Sequence, residues 1–541
     1  MEWWRDAVFY EIYIRSFQDS NGDGIGDLNG IASRLGYLAD LGVDALWITP
    51  FYPSPQVDFG YDVSDHEDVD PQFGTLADFD RLVRAAHALG IRIVVDIVLN
   101  HTSDHHAWFQ ASRASRESEF RDWYIWRDGA PGGGPPNNWQ SVFGGPAWSR
   151  DPGTGQWYYH CFYREQPDLN WRNPAVEQRM FDTLKFWIDR GVDGFRLDAV
   201  NTLFEDPELR DNPMLPTPKV TLTGVVTQRY LYTRRLPELH DTLRRVRAFV
   251  DRHDAKVVLI SEAYVENAGE LARFYGDDDE IQLPFNFALA QVPSLEADGF
   301  RRAVTDVERV CAGRWPSLVL SNHDIDRACD RYAGDVEVDS IGKLLAVMLL
   351  TLRGAPFVYY GEEIGMRTDP PAQLDDVRDP VGRTFWPRYK GRDGVRRPMP
   401  WQRGDGAGFT PGSPWLPFSA DAEQRNVESQ RGRSGSILEL YRRLIALRRQ
   451  HAALREGDYE PLESPSHVFA YARRRGEHTL VVLLNMSAGD CQLTLTHVGI
   501  PTPASGWQVV VGTHRRELEA VANGLVLAPF EGVVLGDATA L

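Results

Sequence analysis

The chain has 541 residues, and its composition, 43% hydrophobic and 25% charged, is that of a globular protein too long for one ordinary core. Its formal net charge of −19 argues against a nucleic acid or an anionic membrane as partner, because both need a basic surface. No apolar stretch approaches the length of about 18 residues that a membrane-spanning helix needs, so we expect no membrane span.

The first residues and the cysteines bear on the cellular compartment. The N-terminal sequence MEWWRDAVFYEIYIRSF lacks the basic segment, the apolar segment and the small-residue cleavage site of a secretory signal. The cysteines, Cys161, Cys311, Cys329 and Cys491, are scattered and have no metal-binding spacing. We therefore expect a reduced cytoplasmic protein, with the choice between monomer and homodimer left open.

Short apolar runs without alternation recur along the chain and predict buried parallel strands. They cover 8–14, 45–48, 91–97, 194–197, 257–261, 318–320 and 357–360. Amphipathic helical stretches fall between them, for example at 76–89, 175–190, 236–252 and 341–352. This alternation of strand and helix predicts a β/α barrel, whose active site lies at the C-terminal ends of its strands.

The segment after the first strand has the pattern of a cation-binding loop. In DSNGDGIGD at 19–27, oxygen-bearing side chains alternate with glycines, as in the first half of a calcium loop. The glutamate of the twelfth loop position is missing, because Gly30 stands there. The alternative is a loop rich in Asx turns that holds no ion.

Three excursions interrupt the alternation of strand and helix, and a different pattern follows them. The first, at 101–172, is rich in Trp, Gly, Pro and Asn and predicts a functional insertion or small subdomain. The others are at about 201–235 and 366–405. After about 458, alternating strands at 467–472, 479–484, 492–495, 507–511 and 533–535 predict an antiparallel β domain.

Three acids, Asp198, Glu262 and Asp324, each follow an apolar run. A single acid at a strand end is commonly a helix cap or an ion-pair partner. Three of them at one face of a barrel, accompanied by Arg196 and two histidines, predict a catalytic site instead. Glycoside hydrolysis needs such carboxyls on either side of the scissile bond, one as acid and one as nucleophile or base.

Seven motifs occur in one order along the chain. They are GVDALWITP at 42–50, DIVLNHTS at 96–103, QPDLNW at 166–171, GVDGFRLDAV at 191–200, ISEAY at 260–264, SNHDIDR at 321–327 and GAPFVYYGEEIGM at 354–366. This series resembles the α-amylase clan, specifically the bacterial α-glucosidase and oligo-1,6-glucosidase branch of glycoside hydrolase family 13. The resemblance implies a (β/α)8 TIM barrel over 1–100 and 173–457, a subdomain inserted after strand 3 at 101–172, and a C-terminal antiparallel β-sandwich at 458–541.

The resemblance also gives roles to the three acids. Asp198 resembles the nucleophile of a retaining double displacement, and Glu262 the general acid and then base. Asp324 resembles the acid that grips the 2- and 3-hydroxyls of the sugar. Arg196 precedes Asp198 by two residues, so both side chains leave one face of the strand, and its charge should keep Asp198 ionised. Glu262 needs a raised pKa, and its carboxyl should lie about 5–5.5 Å from that of Asp198.

Further residues resemble those that bind the sugar. They are Tyr61, Asp62, His101, Phe143, Phe162, Arg196, His323 and Arg327. The two histidines would hydrogen-bond the reacting glucose, the two phenylalanines would line the cleft, and Tyr61 and Asp62 would close its non-reducing end. Asp62 and Arg327 would block extension of the sugar there, which implies exo action on one terminal glucose.

The resemblance extends to the metal loop. Related glucosidases bind calcium or magnesium there through residues that match Asp19, Asn21, Asp23, the Ile25 carbonyl and Asp27. Such an ion would be structural, because the loop follows the first strand away from the catalytic acids. No organic cofactor is implied.

Two features narrow the substrate, again by resemblance. Alanine or threonine after the nucleophile accompanies α-1,4 cleavage in this branch and valine accompanies α-1,6 cleavage, and this chain has Ala199. The excursion containing RDNPMLP at 210–216 resembles a lid over the acceptor side. A covered cleft should favour maltose-type disaccharides, and it should shield the glucosyl-enzyme from water and so favour transfer to acceptor alcohols or sugars.

Other functions share the same motifs. A trehalose synthase, a sucrose isomerase or an oligo-1,6-glucosidase keeps the same three acids, so the acids cannot separate these enzymes from a maltase. A non-catalytic relative that chaperones amino-acid transporters would lack an acid and carry a membrane helix, and neither feature is seen. A glucan-binding role would concern the C-terminal domain alone, which we expect only to pack against the barrel.

Overall fold

The computed structural model describes residues 2–217, 219–262, 264–333, 337–498, 506–515, 517–521 and 524–537. Eight parallel strands form a nearly closed barrel, and we number them β1 to β8 along the chain. They are Phe9–Ile12, Ala45–Ile48, Arg92–Val98, Gly194–Asp198, Val258–Ser261, Leu283–Pro284, Ser317–Val319 and Ala355–Tyr359. No helix among the described residues is long and apolar enough to cross a membrane.

The hydrogen-bonded order of the strands is β7-β8-β1-β2-β3-β4-β5-β6. The register places Asp96 beside Arg196 and Val98 beside Asp198 on the adjacent strands β3 and β4. Between β6 and β7 a side chain joins the edges, since the Ser317 hydroxyl donates to the Pro284 carbonyl and accepts from the Asn286 N–H. The predicted TIM barrel is thus confirmed.

Helices surround the barrel and bury an apolar face against it. The longer ones are Leu28–Leu41, Leu76–Ala88, Pro174–Asp189, Glu238–Asp254, Ala297–Val310, Val338–Thr351 and Ile437–Gln450. Shorter ones are Trp3–Asp6, Ile14–Phe17, Ala107–Ala114, Ala268–Arg273, Ala328–Tyr332, Pro380–Phe385, Val427–Gln430 and Ala452–Glu456. The first long helix shows how local sequence sets the ends: Asp27 accepts from the Gly30 N–H, and Gly42 ends the helix in a left-handed conformation.

The apolar runs predicted every barrel strand except β6. That strand has only two residues, Leu283–Pro284. Two residues are too few to produce a periodic pattern, and proline is uncommon inside a strand. Only the neighbouring strand β5 and the Ser317 side chain define it.

The two excursions at 101–172 and 201–235 pack against each other beside the barrel mouth. The first contains a three-stranded sheet of Trp126–Arg127, Trp148–Arg150 and Trp157–Tyr159. Asn138 and Asn212 exchange hydrogen bonds across the contact, and the Trp139 indole donates to the Arg210 carbonyl. A side chain added at Gly144 would come within 2.5 Å of the Thr223 carbonyl oxygen, so the two backbones touch.

The C-terminal region contains antiparallel sheets, as predicted. Its strands are Asp458–Pro461, Val468–Arg475, His478–Asn485, Cys491–Thr494, Trp507–Gly512, Ala520–Val521, Gly524–Leu527 and Gly532–Asp537. Six of them form one sheet and two form a second. The fully buried Arg473 donates to the carbonyls of Thr351, Leu454 and Gly457, and so joins this region to the barrel helices.

Candidate active site

A cavity of about 450 Å³ opens at the C-terminal ends of the barrel strands. Its volume lies within the range of small-molecule sites, about 300–1,000 Å³. All three predicted acids line it, together with several predicted sugar-binding residues. The predicted residues on its wall are Tyr61, His101, Phe143, Phe162, Asp198, Glu262 and Asp324.

One buried guanidinium, that of Arg196, contacts three acidic side chains below the cavity. Arg196 Nη1 donates to Asp96 at 2.8 Å and to Asp198 at 2.5 Å, and its Nη2 lies 2.6 Å from Glu262. Alternation along β4 points residues 196 and 198 into the barrel together, while Asp96 and Glu262 come from β3 and the end of β5. The Asp198 and Glu262 carboxyls therefore lie close together on one arginine.

The surroundings of the two carboxyls raise their pKa values. Burial raises the pKa of Asp198 to about 6, although Arg196 opposes the rise. Burial likewise raises the pKa of Glu262 to about 7, and the negative charge of Asp198 adds to it. At neutral pH Asp198 is mostly ionised while a large fraction of Glu262 keeps its proton, as a nucleophile and a general acid require.

Asp324 has the opposite electrostatic environment. Burial alone would raise its pKa, but His323, Arg392 and Arg396 hold the pKa well below its usual value. Arg392 and Arg396 both contact its Oδ1, at 3.1 and 2.8 Å, and His323 Nε2 lies 3.2 Å from its Oδ2. This carboxylate is held ionised, and it faces the cavity.

An ion pair between distant segments forms part of the cavity wall. Arg392 Nη2 lies 2.8 Å from Asp58, and both side chains line the cavity wall. Asp379 holds the guanidinium from the other side, accepting from its Nε at 2.8 Å. The pair bridges the loop after β2 and the excursion at 366–405.

This pair corrects the prediction that Asp62 and Arg327 block the end of the cleft. The Asp62 carboxylate is fully buried and accepts from the N–H groups of Val57 and Asp58, so it shapes the loop that carries Asp58. Arg327 donates to the Tyr360 carbonyl, away from the cavity wall. Neither side chain lines the cavity.

The remaining predicted contacts are placed at or behind the wall. His101 donates to the Tyr61 carbonyl, and burial lowers the pKa of its imidazole to about 3, so the ring is neutral. The rings of Phe143 and Phe162 pack with centroids 5.7 Å apart. His323 lies behind the wall, bonded to the Tyr61 hydroxyl.

Several wall residues were not identified from the sequence. They are Asp58, Val142, Ala199, Asn201, Thr202, Arg234, Tyr264, Tyr389 and Arg392. Ala199 was noted only as a marker of linkage. Arg392 lies in the excursion at 366–405, and the density of charge in GRDGVRRPMP at 391–400 is the one signal that could have drawn attention to it.

The predicted metal loop is held by its own N–H groups. Asp19 accepts from Asn21, Gly22 and Gly24, and Asp27 accepts from Ser20 and Gly30. Among the described residues, no group of three or more His, Cys, Asp or Glu side chains is arranged to hold a metal ion. The oxygen donors suit calcium or magnesium chemically.

Comparisons with known proteins agree with this geometry. The family described as "Alpha amylase, catalytic domain" matches residues 11–457. A protein named "Probable alpha-glucosidase" from Rhizobium meliloti (strain 1021) is 44% identical over 499 residues, which cover 90% of each chain. The family match extends through the barrel and all three excursions.

Solved structures with the same overall arrangement carry two different descriptions. An α-glucosyl transfer enzyme, XgtA, is 39% identical with a TM-score of 0.91, covering 99% of this chain and 100% of that one. The trehalulose synthase MutB from Pseudomonas mesoacidophila MX-45 is 34% identical with a TM-score of 0.89, covering 99% of each chain.

We predict that replacing Arg196 by methionine destabilises the protein in a pH-dependent way. Without the guanidinium, three buried carboxylates lose their shared cation, which costs about 3–5 kcal/mol for a broken buried pair. Their folded-state pKa values then rise further, so the folded state binds protons that the unfolded state lacks, and stability falls as pH rises. Thermal unfolding should show a small deficit relative to wild type at pH 5 and a large one at pH 8.

The matched control is Arg327→Met. Arg327 is equally buried, but it donates to carbonyl oxygens rather than carboxylates. Its charge acts on the buried acids Glu362, whose pKa is about 7, and Glu363, so its deficit should change with pH less than that of Arg196→Met, which removes direct contacts with three acids. An Arg196→Met deficit that does not change with pH would contradict the electrostatic account.

Proposed function

The chain belongs to the α-amylase family of glycoside hydrolases, as its seven motifs predicted, and on that premise we propose that it is a retaining, exo-acting α-glucosidase for short α-1,4-glucosides. The observation that carries the proposal is a cavity lined by Asp198, Glu262, Asp324 and the Asp58–Arg392 ion pair, which we propose closes one end of it. A closed end admits one terminal glucose and excludes a chain that continues past it.

In the proposed reaction, the Asp198 carboxylate attacks the anomeric carbon while Glu262 gives its proton to the departing glycosidic oxygen. The covalent glucosyl-enzyme is then hydrolysed by water, which Glu262 deprotonates in its second role. Asp324, ionised throughout, binds sugar hydroxyls. The proximity of Asp198 and Glu262 on one guanidinium supports the short separation of about 5–5.5 Å that retention needs.

The restriction to short substrates is proposed from another part of the cavity wall. Asn201, Thr202 and Arg234, at the two ends of the excursion at 201–235, line the cavity. The body of that excursion packs on the insertion through Asn138 and Trp139. These contacts support a lid over the acceptor side, which favours disaccharides and shields the glucosyl-enzyme from water.

The test is the time course of products from maltose, isomaltose, sucrose and trehalose, together with the anomeric configuration of the glucose that is first released. We expect glucose from maltose at a higher kcat/KM than from isomaltose, because alanine after the nucleophile accompanies α-1,4 cleavage in the enzymes that this chain resembles, and Ala199 occupies that position. With maltose at high concentration, or with an added alcohol, glucosylated acceptors should accumulate. With an aryl α-glucoside, whose aglycone contributes no glucose, β-glucose as the first product would contradict the retaining mechanism.

The same experiment distinguishes an α-glucosidase from an isomerase. The overall similarity to MutB makes an isomerase the second candidate. An isomerase converts sucrose or maltose into another disaccharide with little free glucose. If isomaltose is cleaved faster than maltose, the α-1,4 assignment is wrong and the oligo-1,6-glucosidase alternative replaces it.

We predict a bell-shaped dependence of kcat/KM on pH, with its maximum between about 6 and 7. Asp198 must be ionised, so activity is lost as pH falls through its pKa of about 6. Glu262 must be protonated, so activity is lost as pH rises through its pKa of about 7. Because the two groups interact, the acid and alkaline limbs report apparent pKa values that belong to the pair and not to either residue alone.

The control for the pH profile is an aryl α-glucoside. Its phenolate leaves with little help from an acid, so its alkaline limb should be weaker than that of maltose. An acid limb near pH 4 for both substrates would contradict the proposed environment of Asp198.

We further propose that the loop at 19–27 binds a structural Ca²⁺ or Mg²⁺ through Asp19, Asn21, Asp23, the Ile25 carbonyl and Asp27. An ion that binds only the folded state at 100 times its Kd adds about 2.7 kcal/mol to stability. Chelation should therefore lower the unfolding temperature, and added calcium should restore it. A temperature unaffected by both treatments would contradict the ion, and in Asp23→Asn both responses should shrink.

A further inference from the structure

Glu11 is a buried acid that the proposed mechanism does not use. It lies on β1, its side chain is 1% exposed, and it is absent from the cavity wall. Alternation along the strand points it into the barrel, whereas Tyr10 points outward to Glu363. A carboxylate this deep is expected to have a specific partner.

The partner is the imidazole of His323, which connects Glu11 to the third acid. His323 Nδ1 lies 2.6 Å from Glu11 Oε1, and Nε2 lies 3.2 Å from Asp324 Oδ2. Nε2 is also 2.9 Å from the Tyr61 hydroxyl, which donates its own proton to Asp96. Each ring nitrogen therefore faces acceptors and carries a proton, so the ring is an imidazolium.

Aromatic rings surround the His323 imidazole and pack against it without forming an ion pair with it. The Tyr61 ring stacks on it at 5.4 Å and the Tyr13 ring at 6.0 Å, and Trp47 packs edge-on. The other charged groups that act on this cluster from neighbouring elements are Arg196, Asp96 and Glu262. Arg396 contacts the His323 carbonyl and leaves the ring to Glu11 and Asp324.

We propose that Glu11 is a positioning residue that keeps the His323 ring protonated. The Nε2–H of this imidazolium then holds the Asp324 carboxylate in the orientation that binds sugar hydroxyls. The inference rests on the proposed glucosidase function for its kinetic test. Glu11 acts only through His323 and Asp324, since it does not reach the cavity.

The pKa shifts of His323 and Glu11 agree with this role. Burial alone would lower the pKa of His323, but Asp324 and Glu11 together raise it to about 9. Burial raises the pKa of Glu11, and the hydrogen bond from His323 opposes that rise. Without the charge of Glu11 the ring loses its proton more readily, and a bare Nε2 lone pair then faces Asp324.

The test is Glu11→Gln, which keeps the size and the oxygen acceptor but removes the charge. The quantity to measure is the ratio of variant to wild-type kcat/KM on maltose between pH 5 and pH 8.5. Taking the ratio removes the part of the Asp198 and Glu262 titrations that both proteins share, while Glu262 also responds to the charge of His323. The ratio should be near one at pH 5, where His323 is protonated in both proteins. By pH 8 it should fall about twofold if the substitution lowers the His323 pKa of about 9 by one unit, and about tenfold if it lowers it by two.

The matched control is Glu363→Gln. Glu363 is fully buried and accepts from Tyr10 and Tyr37, but it has no contact with the cavity. Its ratio to wild type should not vary with pH. A flat ratio for Glu11→Gln would mean that Glu11 only fills space, and it would overturn the proposal.

A second measurement tests the proposal on wild-type protein, in case the Glu11→Gln variant does not fold. In wild-type protein with ¹⁵N-labelled histidine, both ring nitrogens of His323 should stay protonated at pH 8, and a neutral ring would overturn the proposal. This readout needs no substrate. A wild type that cleaves no α-glucoside therefore refutes the proposed function alone, whereas a neutral ring in an active enzyme refutes only the inference about Glu11.

Discussion

The active site depends on one buried guanidinium that is shared by three carboxylates. Arg196 contacts Asp96, Asp198 and Glu262, and its own exposure is zero. One positive charge cannot fully compensate three negative ones in a medium of low polarity, so at least one of the acids keeps a proton near neutral pH. The parallel barrel makes the sharing possible, because adjacent strands bring residues from three separate motifs to one depth.

The backbone at the nucleophile supports the same arrangement. Ala199 adopts a left-handed conformation with φ of 46°, which is uncommon for a residue with a Cβ and costs about 1–3 kcal/mol. The Thr202 hydroxyl and N–H both bond to the Ala199 carbonyl, so the turn after β4 is defined by contacts of its own. This turn ends the strand at Asp198 and leaves its carboxylate at the cavity.

The sequence predicted what is local and periodic. Seven barrel strands followed from apolar runs, and the three acids followed from their places after those runs, whereas β6 was too short to leave a pattern. The Asp58–Arg392 pair spans 334 residues, and its partners meet only after the whole barrel has closed. Asp62 was predicted from its resemblance to a motif residue beside Tyr61, but its carboxylate accepts from the loop's own N–H groups.

Charge distribution explains why chemically similar acids take different roles. Glu262 shares one arginine with two other acids, and its pKa rises to about 7. Asp324 has two arginines and an imidazolium close to it, and its pKa falls. The cations come from different parts of the chain: Arg196 from β4, His323 from the loop after β7, Arg392 and Arg396 from the excursion at 366–405. The Asp58–Arg392 pair in the cavity wall and the ionisation of Asp324 are therefore linked, because Arg392 contributes to both.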